Sequence, residues 1–238
     1  MLVTESNKLT KTQFSIKCEK ALYRHQSRYQ KIEIYKSYKY GNVLMLDGCF
    51  MLTEKRSNEY HEKCILLAKK NKLNLNVLII GGGDFGLVKK LFKKNDIKKL
   101  YIVEIDEKVI DVSMKYFPKF FNLNKRVKER IIITIDDGYE WISNNEILFD
   151  VIIIDCTDPN PIAKKLYSKI FYKKIFKSLN KNGFLIQQSG SPALNKKDII
   201  EPTITKLSSI GFRDISLKSF KMPIYPSGIW SFIKCKKA

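Results

Sequence analysis

From residue 76 onward, short apolar runs alternate with amphipathic stretches. Runs at 76–80 (NVLII), 100–105 (LYIVEI), 130–135 (RIIITI), 150–155 (DVIIID) and 183–188 (GFLIQQ) predict strands. Near-continuous Ile and Val is the pattern of strands buried on both faces, hence a parallel sheet covered by helices. Two later runs, 214–220 (DISLKSF) and 229–235 (IWSFIKC), have too little chain between them for a helical crossover, which predicts an antiparallel closing pair. Upstream, residues 14–55 read as short strands and turns. "YQKIEIYKS" alternates apolar and polar from Ile32 to Tyr35, and "YGNVLMLDGCFMLTE" reads as two strands joined at "DG". In "SNEYHEKCILLAKK" the spacing turns helical, with Tyr60, Cys64, Leu67 and Ala68 on one face. The expected class is α/β. Residues 1–55 form a small N-terminal β domain and residues 56–238 the α/β domain, with a helix at 57–71 as connector.

The 238 residues suffice for such a domain plus a small module. With 44% hydrophobic and 12% aromatic residues, the chain reads as folded rather than disordered. No apolar run approaches the roughly 20 residues of a membrane helix, and "MLVTESNKLTKTQF" lacks the apolar core of a secretory signal. Five cysteines, with no CxxC pair, point to reduced thiols and a cytoplasmic location, with no zinc site. His25 and His61 form no metal pair with their neighbours, so no metal is expected.

A formal charge of +20 raises the question of nucleic acid. The composition argues against it, because 38 Lys stand against 6 Arg, and Arg is the side chain that reads bases and phosphates bidentately. The lysines are spread along the chain, often as pairs on solvated helix faces. A coding bias toward Lys, Ile and Asn accounts for them without a nucleic-acid partner.

The candidate chemistry lies at the strand ends. "VLIIGGGDFGLVKK" places Gly81, Gly83 and Gly86 at GxGxxG spacing between a strand and a helix, the arrangement that holds a nucleotide at a helix N-terminus. Asp84 sits inside that loop, where it would repel a pyrophosphate. The next strands end in "VEID" (Glu104, Asp106), "IDDG" (Asp136, Asp137) and "IIIDCTDP" (Asp155, Asp158). Seven of the 24 acidic residues thus lie on the rim where open α/β sheets bind ligands. Asp106 and Asp136 also suit plain helix caps or turns. Glu104, 18 residues after Gly86, suits ribose hydroxyls. Asp84 selects a positive group instead of phosphate, as in a sulfonium nucleoside. Opposite charges about 4 Å apart attract by about 4 kcal/mol at intermediate dielectric, before desolvation. That favours decarboxylated S-adenosylmethionine, whose tail is an ammonium only, over the carboxylated form.

Together "VLIIGGGDFG", "VEIDEKVI", "DDGYEW", "IIIDCTDP", "QSGSP" and "PIYPSGIWSF" resemble the spermidine synthases, the polyamine aminopropyltransferase family. So do "SRYQKIEIYKS", "GNVLMLDG" and "EYHE", in family order from about Val3 to the end. The resemblance implies a Rossmann-like, class I methyltransferase-type domain with a mostly parallel sheet behind a small β domain, assembled as a homodimer or homotetramer. It implies transfer of an aminopropyl group from decarboxylated S-adenosylmethionine, a co-substrate, to putrescine. The products are spermidine and methylthioadenosine, and no cofactor is used. It implies that Asp84 and Gln30 hold the aminopropyl end, with Gly81 and Gly83 in the donor loop. Glu104 would hold the ribose, and Asp137 with Gly138 the adenine. Asp155, beside Tyr60, would handle the attacking amine, and Asp158 and Tyr225 would belong to the acceptor site. His61 and Gln188 fall on matching acceptor-side motif positions.

Some positions depart from that pattern. Phe85 replaces a glycine and is expected to crowd the loop. In the gate "DPNPIAKKL", Pro161 and Ile162 replace Gly and Pro, which predicts a later or stiffer helical start. Arg56 and Ser57 replace two acidic residues. These departures keep other readings open: a different amine acceptor, amine N-methylation, or a nucleoside- or polyamine-binding relative without turnover.

Overall fold

The computed structural model describes residues 1–7 and 11–238. Five antiparallel strands come first, in sheet order β1-β2-β3-β4-β5: Leu2–Asn7, Thr12–Gln26, Lys31–Ser37, Gly41–Leu46 and Cys49–Thr53. Asp47 and Gly48 join β4 to β5 with φ of 48° and 80°. Two positive φ angles make the turn whose twist matches a hairpin, which is why "DG" marks it. Two features differ from the sequence reading. β1 forms before residue 14, and β2 is one long strand whose register shifts twice against β3.

Helix α1, Ser57–Ala68, buries Tyr60, His61, Cys64, Ile65 and Ala68, whereas Leu67 is only half-buried. Next come β6 (Leu75–Gly81), α2 (Val88–Lys94), β7 (Ile97–Glu104), α3 (Glu107–Tyr116), α4 (Lys125–Lys128), β8 (Ile131–Ile135), α5 (Gly138–Ser143) and β9 (Phe149–Asp155). The chain ends with α6 (Lys169–Ser178), β10 (Leu179–Gln188), α7 (Glu201–Ile210), β11 (Arg213–Lys221) and β12 (Ile229–Lys236). The second sheet has the order β11-β12-β10-β9-β6-β7-β8, parallel from β10 to β8, with β11 and β12 antiparallel.

Alternation on β6 and β9 builds both sides of the core. Val77, Ile79, Val151 and Ile153 face one cluster, which continues into the first sheet through Ile32, Ile34, Leu44 and Leu52. Leu78, Ile80, Ile152 and Ile154 face the other, under α5, α6 and α7. β8 departs from the expectation of two buried faces. It is the edge strand, so Ile132, Ile133 and Ile135 are exposed despite their apolar sequence.

Chain direction fixes the place of the site. β7 and β8 follow β6 on one side, while β9 and β10 extend the other. The order reverses between β6 and β9, and such a switch point opens a crevice at the strand carboxyl ends.

Candidate active site

At the switch point Gly81 pairs with Asp155, and Gly82 N–H donates to the Asp155 carbonyl at 3.0 Å. Gly81 has φ 84°, and a side chain there would strike the Asp155 backbone. A cavity of about 440 Å³ opens above this junction, within the usual range for small-molecule sites. Its far wall is the first sheet, through Gln30, Leu44 and Met51. All thirteen candidate residues named from the sequence line it: Asp155, Tyr60, Gln30, Gly81, Gly83, Asp84, Glu104, Asp137, Gly138, Asp158, Tyr225, His61 and Gln188.

On the β7 side, Glu104 is buried and accepts from the N–H groups of Gly83 and Asp106, each at 3.1 Å. Burial pushes its pKa up to about 7, opposed by those backbone donors and raised further by the Asp106 charge. Asp137 caps α5, accepting from Tyr139 N–H at 2.8 Å. Asp106 caps α3 and does more. Its Oδ2 accepts from the Ser27 hydroxyl at 2.7 Å and the Gln30 amide at 3.1 Å, tying the first sheet to the second. Gln30 therefore enters the cavity bonded to Asp106.

At the centre, Asp155 ends β9 and accepts a hydrogen bond from the Tyr60 hydroxyl. Burial lifts the Asp155 pKa to about 6, the Asp84 charge adds to the rise, and Tyr60 and His61 oppose it. The Tyr60 ring is fixed by Phe232, with centroids 4.9 Å apart. Asp84 accepts from Gly86 N–H at 2.7 Å and lies 3.4 Å from His61 Nε2. A side chain at Gly86 would run into the His61 ring, so this close approach requires glycine. His61, expected on the acceptor side, thus stands against the glycine loop, because α1 presents it one residue round from Tyr60.

At the outer end, burial raises the Asp158 pKa, and the Gln188 amide opposes this from 3.1 Å. The same amide nitrogen reaches the Cys156 carbonyl at 2.9 Å and the Tyr167 hydroxyl at 3.0 Å, so Gln188 orients Asp158. Tyr225 donates to the Met51 carbonyl at 2.6 Å and packs edge-on against Trp230. In the gate, Asn160 Oδ1 accepts from the N–H groups of Ile162 at 3.0 Å and Ala163 at 2.8 Å. One 3-10 turn follows at Ala163–Tyr167, and Pro161 and Ile162 face the cavity.

Phe85 does not crowd the loop. It adopts φ 60°, and its buried ring lies outside the cavity, stacked on Phe121. Two acidic residues of the cavity wall escaped the sequence reading, Asp47 in the hairpin turn and Glu5. Glu5, on β1, lines the cavity and accepts from Phe50 N–H at 2.7 Å. Burial pushes its pKa up to about 7; the Phe50 N–H opposes this, and the Asp158 charge adds to it. Local pattern gave no strand there, so no signal marked it.

A rim of buried and half-buried carboxylates, four of them with raised pKa values, is poised for a cation. It offers ionisable oxygens that a bound positive charge would keep charged.

Residues 57–238 match the family model described as "Spermine/spermidine synthase domain", and residues 1–54 match "Spermidine synthase tetramerisation domain". The chain is 41% identical over 224 residues to the polyamine aminopropyltransferase of Methanocaldococcus jannaschii, covering 94% of this chain and 75% of that one. It is 38% identical over 224 residues to the polyamine aminopropyltransferase of Thioalkalivibrio sulfidiphilus, covering 92% and 78%. A spermidine synthase crystallised with the transition-state analogue AdoDATO superposes with a TM-score of 0.90 at 28% identity, over 100% of this chain and 80% of that one. The spermidine synthase of Thermotoga maritima gives 0.88 at the same identity and coverage.

Proposed function

Because the chain belongs to the spermine/spermidine synthase family, we propose that it is a polyamine aminopropyltransferase. It moves the aminopropyl group of decarboxylated S-adenosylmethionine to putrescine, giving spermidine and methylthioadenosine. The observation that carries this reading is the row of carboxylates Asp84, Asp155 and Asp158 in one cavity, two of them with pKa values raised by burial.

Each group has a role in that reaction. Glu104 takes the ribose hydroxyls, and Asp137 with Gly138 takes the adenine edge. Asp84, backed by His61, takes the ammonium of the aminopropyl tail, and Gln30 closes the donor against the first sheet. Asp158 and Glu5 take the far ammonium of the diamine. The near amine has a pKa of roughly 10 and arrives protonated. Asp155, held by Tyr60, orients it and accepts a proton. The freed nitrogen pair forms the N–C bond as the C–S bond breaks, and the electrons of the C–S bond stay on sulfur, which leaves as a neutral thioether. The leaving group needs no acid, so alignment and one base suffice. No further cofactor enters this scheme.

The match of residues 1–54 to a tetramerisation domain supports a homo-oligomer, which we assign as a dimer or tetramer. Among the described residues, no helix is long and apolar enough to cross a membrane, in keeping with a cytoplasmic enzyme acting on small molecules. The test is incubation of the pure protein with decarboxylated or intact S-adenosylmethionine and a panel of diamines, with products identified by mass. Spermidine and methylthioadenosine are expected from the decarboxylated donor and putrescine. Methylated amine from the intact donor, or no product, would overturn the reading.

A further inference from the structure

Phe85 sits between Asp84 and Gly86 at φ 60°, a conformation that a bulky side chain keeps only where its surroundings over-determine it. The ring is buried on Phe121, with centroids 4.5 Å apart and planes at 25°. The Phe85 backbone closes the turn at both ends. Its N–H donates to the Gly82 carbonyl at 3.0 Å, and its carbonyl accepts from Val88 N–H, at the start of α2, at 3.2 Å. Asp84 therefore hangs from a turn whose geometry is set by a ring on the far side of the loop from the cavity. The other support of Asp84 has the same origin. The His61 ring, 3.4 Å from the carboxylate, rests edge-on against Phe120 at 5.6 Å. Phe120 and Phe121 are neighbours in the segment after α3, whose last residue, Tyr116, accepts through its carbonyl from the Asn42 amide of the first sheet at 2.9 Å.

We propose that Phe85 and Phe121 form a clamp that positions Asp84 for the cationic tail of the donor, so that both are positioning residues that touch no ligand. This rests on the reading of the site given above. A clamp on Asp84 acts first on the tail, whereas the adenine and ribose contacts come from Asp137 at α5 and Glu104 on β7, which the loop meets only through the Gly83 N–H. Decarboxylated S-adenosylmethionine has the tail, and methylthioadenosine lacks it, so the pair separates positioning from general loss of structure.

The experiment is calorimetric binding of both ligands to the unmodified protein and to Phe85→Gly, Phe121→Ala and Phe121→Leu. Phe85→Gly removes the ring but also relieves the positive φ, so it perturbs the fold less than Phe121→Ala. Donor affinity should fall about tenfold in Phe85→Gly and Phe121→Ala, while methylthioadenosine affinity stays within about twofold. Phe121→Leu, which refills the space, should recover most of the donor affinity. Equal losses for both ligands, loss for neither, or no recovery in Phe121→Leu would overturn the clamp. A protein that binds donor but forms no spermidine would overturn the transferase reading alone, because the affinity ratio judges the clamp without turnover.

Discussion

Replacing Tyr60 with Phe removes one hydroxyl and leaves the ring where Phe232 and Tyr225 hold it. The lost group is the hydrogen-bond donor to Asp155. Three other influences on that carboxyl remain: burial and the Asp84 charge, which raise its pKa, and His61, which lowers it. A hydrogen bond to a charged group is worth about 1.5–3 kcal/mol, and each pKa unit corresponds to about 1.4 kcal/mol. The Asp155 midpoint should therefore climb about one to two units from its value of about 6. At pH 7 the ionised fraction would fall from about nine-tenths to between about a half and a tenth. Turnover at pH 7 should drop about two- to tenfold from ionisation alone, and raising the pH should recover that part. The assay is NMR titration of labelled aspartate carboxyl carbons in the free protein between pH 4 and pH 9, with Asp155→Asn assigning the resonance. A midpoint in Tyr60→Phe that is unchanged or lower would refute the claim that this hydroxyl sets the charge of the base.

Three further outcomes follow from the carboxylates of the cavity. Asp84→Asn should weaken binding of decarboxylated S-adenosylmethionine by about 10- to 100-fold, the range for a lost charge-assisted hydrogen bond. It should also narrow the preference over S-adenosylmethionine, and equal calorimetric affinities for the two donors in the unmodified protein would sink the charge argument. Donor binding at pH 6.5 should release protons, because a cation and ribose hydroxyls favour the ionised forms of Asp155 and Glu104, whose pKa values stand at about 6 and about 7 in the empty site. Calorimetry in two buffers of different ionisation enthalpy reads this, and net proton uptake would count against it. The same raised values carry a sign for stability: the contribution of Glu5 and Glu104 is fully present below pH 4.5 and is lost as pH rises through about 7. The empty protein should therefore melt at a higher temperature at pH 6 than at pH 8.

Features that depend on near neighbours along the chain were legible in the amino-acid order. Alternation and apolar runs placed the strands from β3 onward to within a few residues, and "DG" placed the hairpin. Glycine spacing placed the turn after β6, and strand-end acids placed the rim, because parallel strands all end on one side of their sheet. Features that depend on partners far apart in sequence emerged only on folding. β1 becomes a strand by pairing with β2, which carries Glu5 into the cavity beside Asp158. Asp106, legible as a cap, also anchors Ser27 and Gln30 across the two sheets. The Tyr225 hydroxyl is taken by Met51, 174 residues away. The direction of the Phe85 ring followed from Phe121, and the exposure of the β8 isoleucines from an edge position that no local pattern reveals. The charge state of the site belongs to the same class. A carboxylate's pKa is set by the water it loses and the charges it meets, and both exist only once the two sheets have closed over it.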